Sequence, residues 1–393
     1  MKVCIINSLY RPYMRGGAET VTENILLGLK EAEHKSFLIT LGKKNEKIEL
    51  EGVQIYKIKP FNLFSFIDIS KSHFFLRIFW HGIDMLNFDS RRKIKKILQK
   101  EKPDVVLSHN LKGIGYLIPK LIKKMKIQHV HTLHDVQLLR PSGLLLYGQE
   151  KPFLILDKIY ERLCRHLFGS PDIVISPSSW LMDMYVKRGF FYRSKRRIVR
   201  NPIGEYETRN IEKNGRKNIA DSKVSFLYVG QLEPSKGIVF LLETLKHLDR
   251  KDWELRIAGS GSLEEEIKKT VSDDDRFKFY GFIKRSRLSN VFFQSDCTII
   301  PSLCYENSPT VIYESFAAGV PVIASDIGGI PELVKDQING FTFEPGDKDN
   351  LTKVLCFYLD HPQIIEQLKK NTKSSIKNFS AKKYLQEVFS LLV

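Results

Sequence analysis

The sequence predicts an α/β protein of open sheets whose ligands bind beyond the strand ends, and three observations predict it. Short apolar runs of strand length alternate with stretches whose apolar residues recur at helical spacing. An apolar run ending in Thr298, Ile299 and Ile300 leads into a loop, a helix and a second strand, Val320 to Ala324, the unit from which such sheets are built. The chain has 393 residues, enough for two or three domains with cores that need no disulfide staples.

Composition narrows the class. The chain is 42% hydrophobic and 27% charged, as in ordinary globular proteins. Its 62 Lys and Arg against 45 Asp and Glu give a formal charge of +17, which favours an anionic partner such as membrane lipid, nucleic acid or a phosphorylated substrate. Cys4, Cys164, Cys297, Cys304 and Cys356 are scattered, lack metal-ligand spacing and predict reduced thiols. MKVCIINS reads as a first strand, too short in its apolar run for a signal peptide. No apolar run reaches the length of a membrane-spanning helix. Internal repeats, low complexity and coiled-coil heptads are absent, and no nucleic-acid module is present.

In chain order, Val3 to Ile6 is a strand and SLYRPYMRGGAET leads into a helix carrying Val21, Ile25, Leu26 and Leu29. Gly16 and Gly17 stand at its start, where glycine lets a ligand approach the backbone and a helix end faces an anion; a simple turn explains them equally well. Strands are expected at Ser36 to Leu41 and Val53 to Ile58. FNLFSFIDISKSHFFLRIFWHGIDMLNF is rich in Phe and runs into the basic SRRKIKKILQKEK; aromatic residues beside cations predict an interfacial membrane element. Asp104 to Leu107 is a strand with His109 and Asn110 at its carboxyl edge. A helix from Ile114 to Met125 and a strand from Gln128 to Thr132 deliver HTLHDVQLLRPSG, with His131 turned inward and His134 and Asp135 on the loop. Lys151 to Leu167 is expected to be an amphipathic helix, Asp172 to Ser176 a strand and Trp180 to Arg188 a helix.

Asn201-Pro202 breaks the pattern, and EYETRNIEKNGRKNIADS is the expected linker, with a boundary near residue 205. Ser225 to Val229 is a strand, and Lys236 precedes a helix starting near Gly237, where an ammonium could reach a bound diphosphate. WELRIAG is a strand, and Ser262 with Glu265 has capping-box spacing. Arg276 to Tyr280 is the next strand. Beyond Ile300, Glu306 and Asn307 lie on a loop, Ser308 is the expected N-cap and Pro309 the first helical residue. Glu306 and Glu314 have seven residues between them, so both carboxylates can face one crevice beside a helix start that attracts phosphate. Phe341 to Pro345, a helix from Leu351 to Leu359 and the amphipathic FSAKKYLQEVFSLLV close the chain.

The Glu-x7-Glu pattern, with AAGVPVIAS and SDIGGIPELV after it, resembles family 4 glycosyltransferases, retaining enzymes of the GT-B fold. The resemblance covers nearly the whole chain, strongest from Val224 to Val334 and weakest from Phe61 to Lys102. It implies two Rossmann-like domains facing a central cleft. Residues 1–204 would bind the acceptor, with the C-terminal helix 380–393 crossing back onto them, and residues 205–379 would bind a nucleotide-sugar donor. It also implies site roles. The Gly16-Gly17 loop would face the donor diphosphate and the acceptor. His134 would contact the donor sugar near its reacting carbon, with His109, Asn110 and Asp135 toward the acceptor. Lys236 matches the lysine of the Gly-Arg-Leu-x-x-x-Lys-Gly pattern; Gln231 replaces its arginine and loses the charged fork, so either Lys236 does more of the work or another basic residue such as Arg15 or Arg140 compensates. GFIK, through Phe282 and Ile283, falls where the family holds the nucleobase by backbone groups. Glu314 would take ribose hydroxyls, and Glu306, flanked by Asn307 and Ser308, would bind sugar hydroxyls and stabilise positive charge at the anomeric carbon.

A departing nucleoside diphosphate needs its charge neutralised. Lys236 and the N–H groups of Thr310 and Val311 would supply this without a metal or other cofactor, and no Asp-x-Asp is placed to hold a metal well. No covalent nucleophile stands out, so the resemblance implies front-face attack with retention. The expected activity is sugar transfer from a nucleotide-diphosphate sugar to a glycan or lipid-linked acceptor in polysaccharide or glycoconjugate biosynthesis, in the cytoplasm and peripheral at an anionic membrane. A GT-B-type nucleotide-sugar epimerase and a non-catalytic membrane-associated member are the alternatives.

Overall fold

The computed structural model describes residues 1–14, 16–150, 155–203 and 223–392, so the linker expected at 205–222 and Arg15, one candidate to compensate for Gln231, lie outside the described residues. The chain forms two compact units. The first comprises Met1–Leu144, Lys151–Pro202 and Ala381–Val393, and the second Leu145–Glu150 and Ile203–Ser380.

The first unit carries strands β1 (Lys2–Ile6), β2 (Lys35–Leu41), β3 (Glu46–Leu50), β4 (Val53–Ile58), β5 (Val105–Ser108), β6 (Gln128–Thr132), β7 (Ile173–Ser176) and β8 (Lys195–Ile198). Its helices are α1 (Gly17–Glu31), α2 (Phe74–Met85), α3 (Phe88–Glu101), α4 (Ile118–Lys124), α5 (Ile155–Phe168) and α6 (Ser179–Val186). The strand order is β3-β4-β2-β1-β5-β6-β7-β8, parallel except for the β3–β4 hairpin. Strands covered on both faces are near-continuously apolar, as β1 is from Val3 to Ile6 and β5 from Val105 to Leu107, pairing Val3 with Val105 and Ile5 with Leu107. The edges carry the charges instead, EKIEL on β3 and KRRI on β8, which discourages pairing with another chain. β3 is an addition to the strands expected from sequence; Glu51 and Gly52, both at positive φ, make the turn its hairpin with β4 requires.

The second unit carries β9 (Val224–Val229), α7 (Ile238–Lys246), β10 (Trp253–Ala258), α8 (Glu264–Val271), β11 (Phe277–Gly281), α9 (Arg285–Phe293), β12 (Cys297–Ile300), α10 (Thr310–Ala317), β13 (Val322–Ser325), β14 (Gly340–Phe343), α11 (Lys348–Asp360) and α12 (Pro362–Ser375). The order β11-β10-β9-β12-β13-β14 is parallel throughout. It is the doubly wound order, which reverses between β9 and β12 and opens a crevice there. The first sheet reverses in the same way between β1 and β5. The last helix, α13 (Ala381–Ser390), buries Tyr384, Leu385 and Val388 in the core of the first unit beside Val21, Ile25 and Leu29 of α1.

Three expectations of local structure are corrected. The N-cap of α10 is Pro309, not Ser308, and the helix begins at Thr310; the Ser308 hydroxyl bonds the Tyr313 hydroxyl at 2.5 Å. The Ser262–Glu265 capping box does not form. α8 starts at Glu264 after Leu263, and Ser262 gives both its N–H and its hydroxyl to Glu233. The helix expected from Ile114 spans only Ile118–Lys124, since Gly113 and Gly115 sit at φ +87° and +110°, outside helical geometry. The Phe-rich segment divides into a short 3-10 turn, Phe66–Lys71, and α2, and no described helix is long and apolar enough to cross a membrane. All five cysteines are free thiols.

Candidate functional site

In the second unit the site grows from the loops after β9 and β12. The β9 loop is pinned on both sides. Tyr228 donates its hydroxyl to the Gln231 carbonyl at 2.7 Å, and the Leu232 N–H bonds the Ser260 carbonyl at 2.9 Å. Gly237 closes the loop at φ +72°, where an added Cβ would lie 1.7 Å from the Pro301 carbonyl oxygen of the β12 loop. Only glycine fits both the left-handed backbone and that approach. The Leu303 N–H donates to the Ser235 carbonyl at 2.9 Å, which ties the two loops together.

These constraints set Lys236 Nζ 2.5 Å from Glu306 Oε1. Ser302 Oγ donates to the same oxygen at 3.1 Å, and Cys304 Sγ approaches it at 3.9 Å. Burial alone would lower the Lys236 pKa, but the charge and hydrogen bond of Glu306 outweigh it and hold the ammonium well above its ordinary range. Burial and the Glu306 charge push the Cys304 thiol up to about 11, so it is a neutral donor. From behind, Gly328 at φ +64° packs where a Cβ would meet the Glu306 carbonyl oxygen at 2.2 Å, and the Gly329 N–H donates to that carbonyl at 2.8 Å. The GGI motif thus fixes the Glu306 backbone. The strip Leu145–Glu150 braces the β12 loop: the Tyr305 N–H bonds the Leu145 carbonyl at 2.8 Å, and the Tyr147 N–H bonds the Leu303 carbonyl at 3.0 Å.

Beyond Glu306, Asn307 is buried and Ser308 half-buried. The first N–H groups of a helix lack intrahelical acceptors, and in α10 they belong to Thr310 and Val311. Glu314 follows one turn on, half-buried. Phe282 is exposed just past β11; that loop joins the row because the Gly259 N–H bonds the Gly281 carbonyl at 2.8 Å. Gln231 is exposed on the β9 loop.

In the first unit the corresponding loops follow β1, β5 and β6. Gly16 caps α1 and donates its N–H to Glu19 Oε2 at 2.9 Å, so of the glycine pair Gly17 supplies the first N–H of the helix. His109 Nδ1 lies 2.9 Å from His134 Nε2. His109 is fully buried, which corrects its expected place on an acceptor: it can reach one only through the partly exposed His134 it orients. Burial pushes His134 down to about 4 and His109 well below its ordinary value. Both rings are therefore neutral at pH 7, and one donates to the other. Asp135 accepts the Gln137 N–H at 2.8 Å; burial nevertheless raises its carboxyl to about 6. The Gln137 side chain, which the sequence did not single out, donates to Asn110 Oδ1 at 2.9 Å and fixes that amide. Arg140 is engaged with Asp157 at 3.2 Å. Ser302, Cys304 and Gln137 carry no motif that would mark them in advance.

Two doubly wound sheets with charged and polar side chains gathered on the loops at their switch points define a nucleotide-handling α/β enzyme. The chain belongs to the glycosyltransferases of the GT-B fold: residues 15–204 match the Glycosyltransferase Family 4 model and residues 210–375 the model for glycosyl transferases group 1. It is 26% identical over 352 residues to the UDP-Gal:alpha-D-GlcNAc-diphosphoundecaprenol alpha-1,3-galactosyltransferase of Escherichia coli, covering 84% of this chain and 86% of that one. Sucrose-phosphate synthase from Thermosynechococcus elongatus shares the fold with a TM-score of 0.75 and 18% identity over 100% of this chain and 98% of that one. The Anabaena protein HepE, solved in complex with UDP, superposes with a TM-score of 0.72 at 16% identity, over 100% and 99% of the two chains. The chain is a glycosyltransferase that uses a nucleotide-sugar donor.

Proposed function

We propose that the protein transfers a sugar, with retention at the anomeric carbon, from a nucleoside-diphosphate sugar to a lipid-linked glycan acceptor. The setting is polysaccharide or glycoconjugate assembly at the cytoplasmic face of an anionic membrane. The observation that carries this reading is the Lys236–Glu306 pair at the β9/β12 switch point, one loop away from the first turn of α10. A donor diphosphate arriving there becomes the partner of the ammonium. The carboxylate it displaces is then available to the sugar hydroxyls and to positive charge growing at the anomeric carbon.

In this mechanism Lys236 and the N–H groups of Thr310 and Val311 stabilise the departing diphosphate without calling on a metal. Glu314 takes the ribose hydroxyls, and the backbone at Phe282 and Ile283 takes the base. The glycosidic C–O bond to the phosphate breaks as the acceptor oxygen bonds the same face, and the acceptor proton passes to the leaving phosphate oxygen. His134, kept neutral and oriented by His109, hydrogen-bonds the sugar. Asn110 and Asp135 receive the acceptor, and Gly17 at the start of α1 offers an N–H to anionic oxygen. The E. coli relative's UDP-Gal donor and diphosphoundecaprenol-linked acceptor support this class of substrates, and HepE makes UDP the first nucleotide to try.

The test is the melting temperature of the protein with UDP, GDP, ADP or buffer, each with and without magnesium. A ligand that binds only the folded state raises the midpoint. A rise with one nucleotide, independent of magnesium, is the expected result. No rise with any of them removes the donor site.

A further inference from the structure

We propose that the outward faces of α2 and α5 form one docking surface for an anionic lipid bilayer, deepening the reading of a lipid-linked acceptor, on which it rests. α2 is turned inside out relative to an ordinary surface helix. Phe75, Leu76, Ile78 and Phe79 are 75%, 49%, 55% and 68% exposed, and Leu86 just beyond the helix is 47% exposed. These positions, with exposed Gly82 between them, recur at helical spacing, and none is polar. A soluble helix shows water its polar side; this one shows its aromatic side.

The helix cannot roll over to hide that face, because its opposite side is anchored. Trp80 is buried, stacks on Phe64 and Phe66, and donates its indole N–H to the Phe64 carbonyl at 2.8 Å. Asp84 is buried and accepts the Gly113 N–H at 2.9 Å. Phe61 and Phe88 extend the patch, 74% and 66% exposed, and are held at the end of the helix by the Asn87 amide, which donates to the Phe61 carbonyl at 3.0 Å.

α5 presents a second face of matching chemistry. Ile155, Ile159 and Leu163 are 78%, 49% and 47% exposed, and Lys158 and Arg162 are exposed between them. The two helices are braced by one segment. Asp84 and Asn87 crowd Gly115, whose added Cβ would lie 3.0 Å from each residue, and the hydroxyl of the adjacent Tyr116 meets that of Tyr160 on α5 at 3.3 Å. Charge decides the occupant. Arg92, Lys95 and Lys96 on α3 are exposed beside the aromatic patch, in a chain of net charge +17. Apolar side chains interleaved with cations match an anionic bilayer, where aromatics enter the headgroup boundary and cations meet phosphate. A second copy of so basic a chain would set like charges against each other.

The experiment is vesicle flotation of the full chain, with no donor or acceptor added. Phosphatidylglycerol vesicles are compared with phosphatidylcholine vesicles at low and high salt. Wild type is expected to float with phosphatidylglycerol at low salt and to be released by high salt. Phe75→Ser/Phe79→Ser and, separately, Lys158→Glu/Arg162→Glu are each expected to weaken binding by roughly tenfold or more, with melting temperature and nucleotide-induced stabilisation as in wild type. Absence of wild-type flotation at low salt overturns the proposal. So does full binding by both double variants, or a concentration-dependent dimer that Phe75→Ser/Phe79→Ser dissociates while vesicles are ignored. Because flotation uses no nucleotide and the melting shift uses no vesicle, failure of this surface and failure of the donor site are read separately.

Discussion

Lys236 Nζ and Glu306 Oε1 lie 2.5 Å apart, joining two loops 70 residues apart in sequence. Each is half-buried and satisfies the other's charge, so in the proposed donor site a diphosphate would exchange partners instead of filling an empty hole. Lys236→Ala and Glu306→Ala are each expected to lower kcat/KM for sugar transfer by at least about tenfold, a loss of about 1.4 kcal/mol of transition-state stabilisation. The pair is partly solvated, so folding should lose only about 1 kcal/mol. Steady-state kinetics with melting curves checks both, and wild-type turnover in both variants would remove these residues from the site.

Gly237 makes a sharper structural prediction. Its φ of +72° and the Pro301 carbonyl oxygen 1.7 Å from the Cβ position leave no room for alanine, and the oxygen belongs to backbone that cannot swing aside. Gly237→Ala should cost about 1–3 kcal/mol or more and weaken nucleotide binding, because it pushes the Lys236 loop off the Glu306 loop. Gly148, also at positive φ but with nothing within 4 Å of its Cβ position, is the control: alanine there should carry only the backbone penalty. Equal melting temperatures for the two variants would show that loop contact is not what demands Gly237.

Much of this was legible in the sequence, and what was not failed for identifiable reasons. The buried strands β1, β5, β9 and β12 are short apolar runs bounded by turn residues, so they declare themselves, and Lys236 and Glu306 sit at fixed offsets past two of them. The start of α10 is hard to place from sequence because Ser308 and Pro309 both suit a helix start; the helix opens at Thr310 after Pro309, and the Ser308 hydroxyl meets Tyr313 within that same helix. The Leu145–Glu150 strip belongs to the second unit although it lies within the sequence of the first, which no local pattern reveals. The Phe-rich stretch could be read as amphipathic, but which face turns inward depends on Trp80 finding the Phe64 carbonyl and Asp84 finding Gly113. His109 stood at a strand end as a ligand-facing residue should, yet the fold places it behind His134.

The buried histidines predict acid sensitivity. Burial pushes His81 and His134 down to about 4 and His129 to about 3, and it holds His109 and His131 well below their ordinary value. Unfolded, each binds a proton as pH falls through about 6.5, so the unfolded state takes up protons that the folded state refuses. Their contribution to stability is full above pH 6.5 and is lost as pH falls toward 4. Burial-raised carboxyls, Asp84 at about 7, Asp135 at about 6, and Glu161 and Asp326 shifted in the same direction, oppose this but are fewer. Stability should therefore fall between pH 6.5 and 5, by about 1.4 kcal/mol per pH unit for each net proton. His129→Gln, whose amide falls where Nε2 meets Ser108 Oγ, should make the decline shallower; denaturant unfolding across that range, with an unchanged slope in the variant, would contradict the assignment.

Asp84 yields a prediction of opposite sign, at the inner face of α2. One carboxyl oxygen accepts the Gly113 N–H at 2.9 Å, while the other, Oδ1, is buried with no partner among the described residues. Burial lifts the group to about 7, and the Gly113 bond and the Lys112 charge pull only partly the other way. With its folded pKa above its unfolded one, the group favours the folded state fully below about pH 4, and that contribution is lost as pH rises through 7. Asp84→Asn keeps an acceptor for Gly113 and removes the titration. The variant should gain stability relative to wild type as pH rises from 4 to 7, by about 1.4 kcal/mol per unit, and hold the gain above pH 7. Melting temperatures of both proteins at pH 5 and pH 8 measure it. A difference independent of pH would show that burial does not lift the Asp84 carboxyl above its ordinary range.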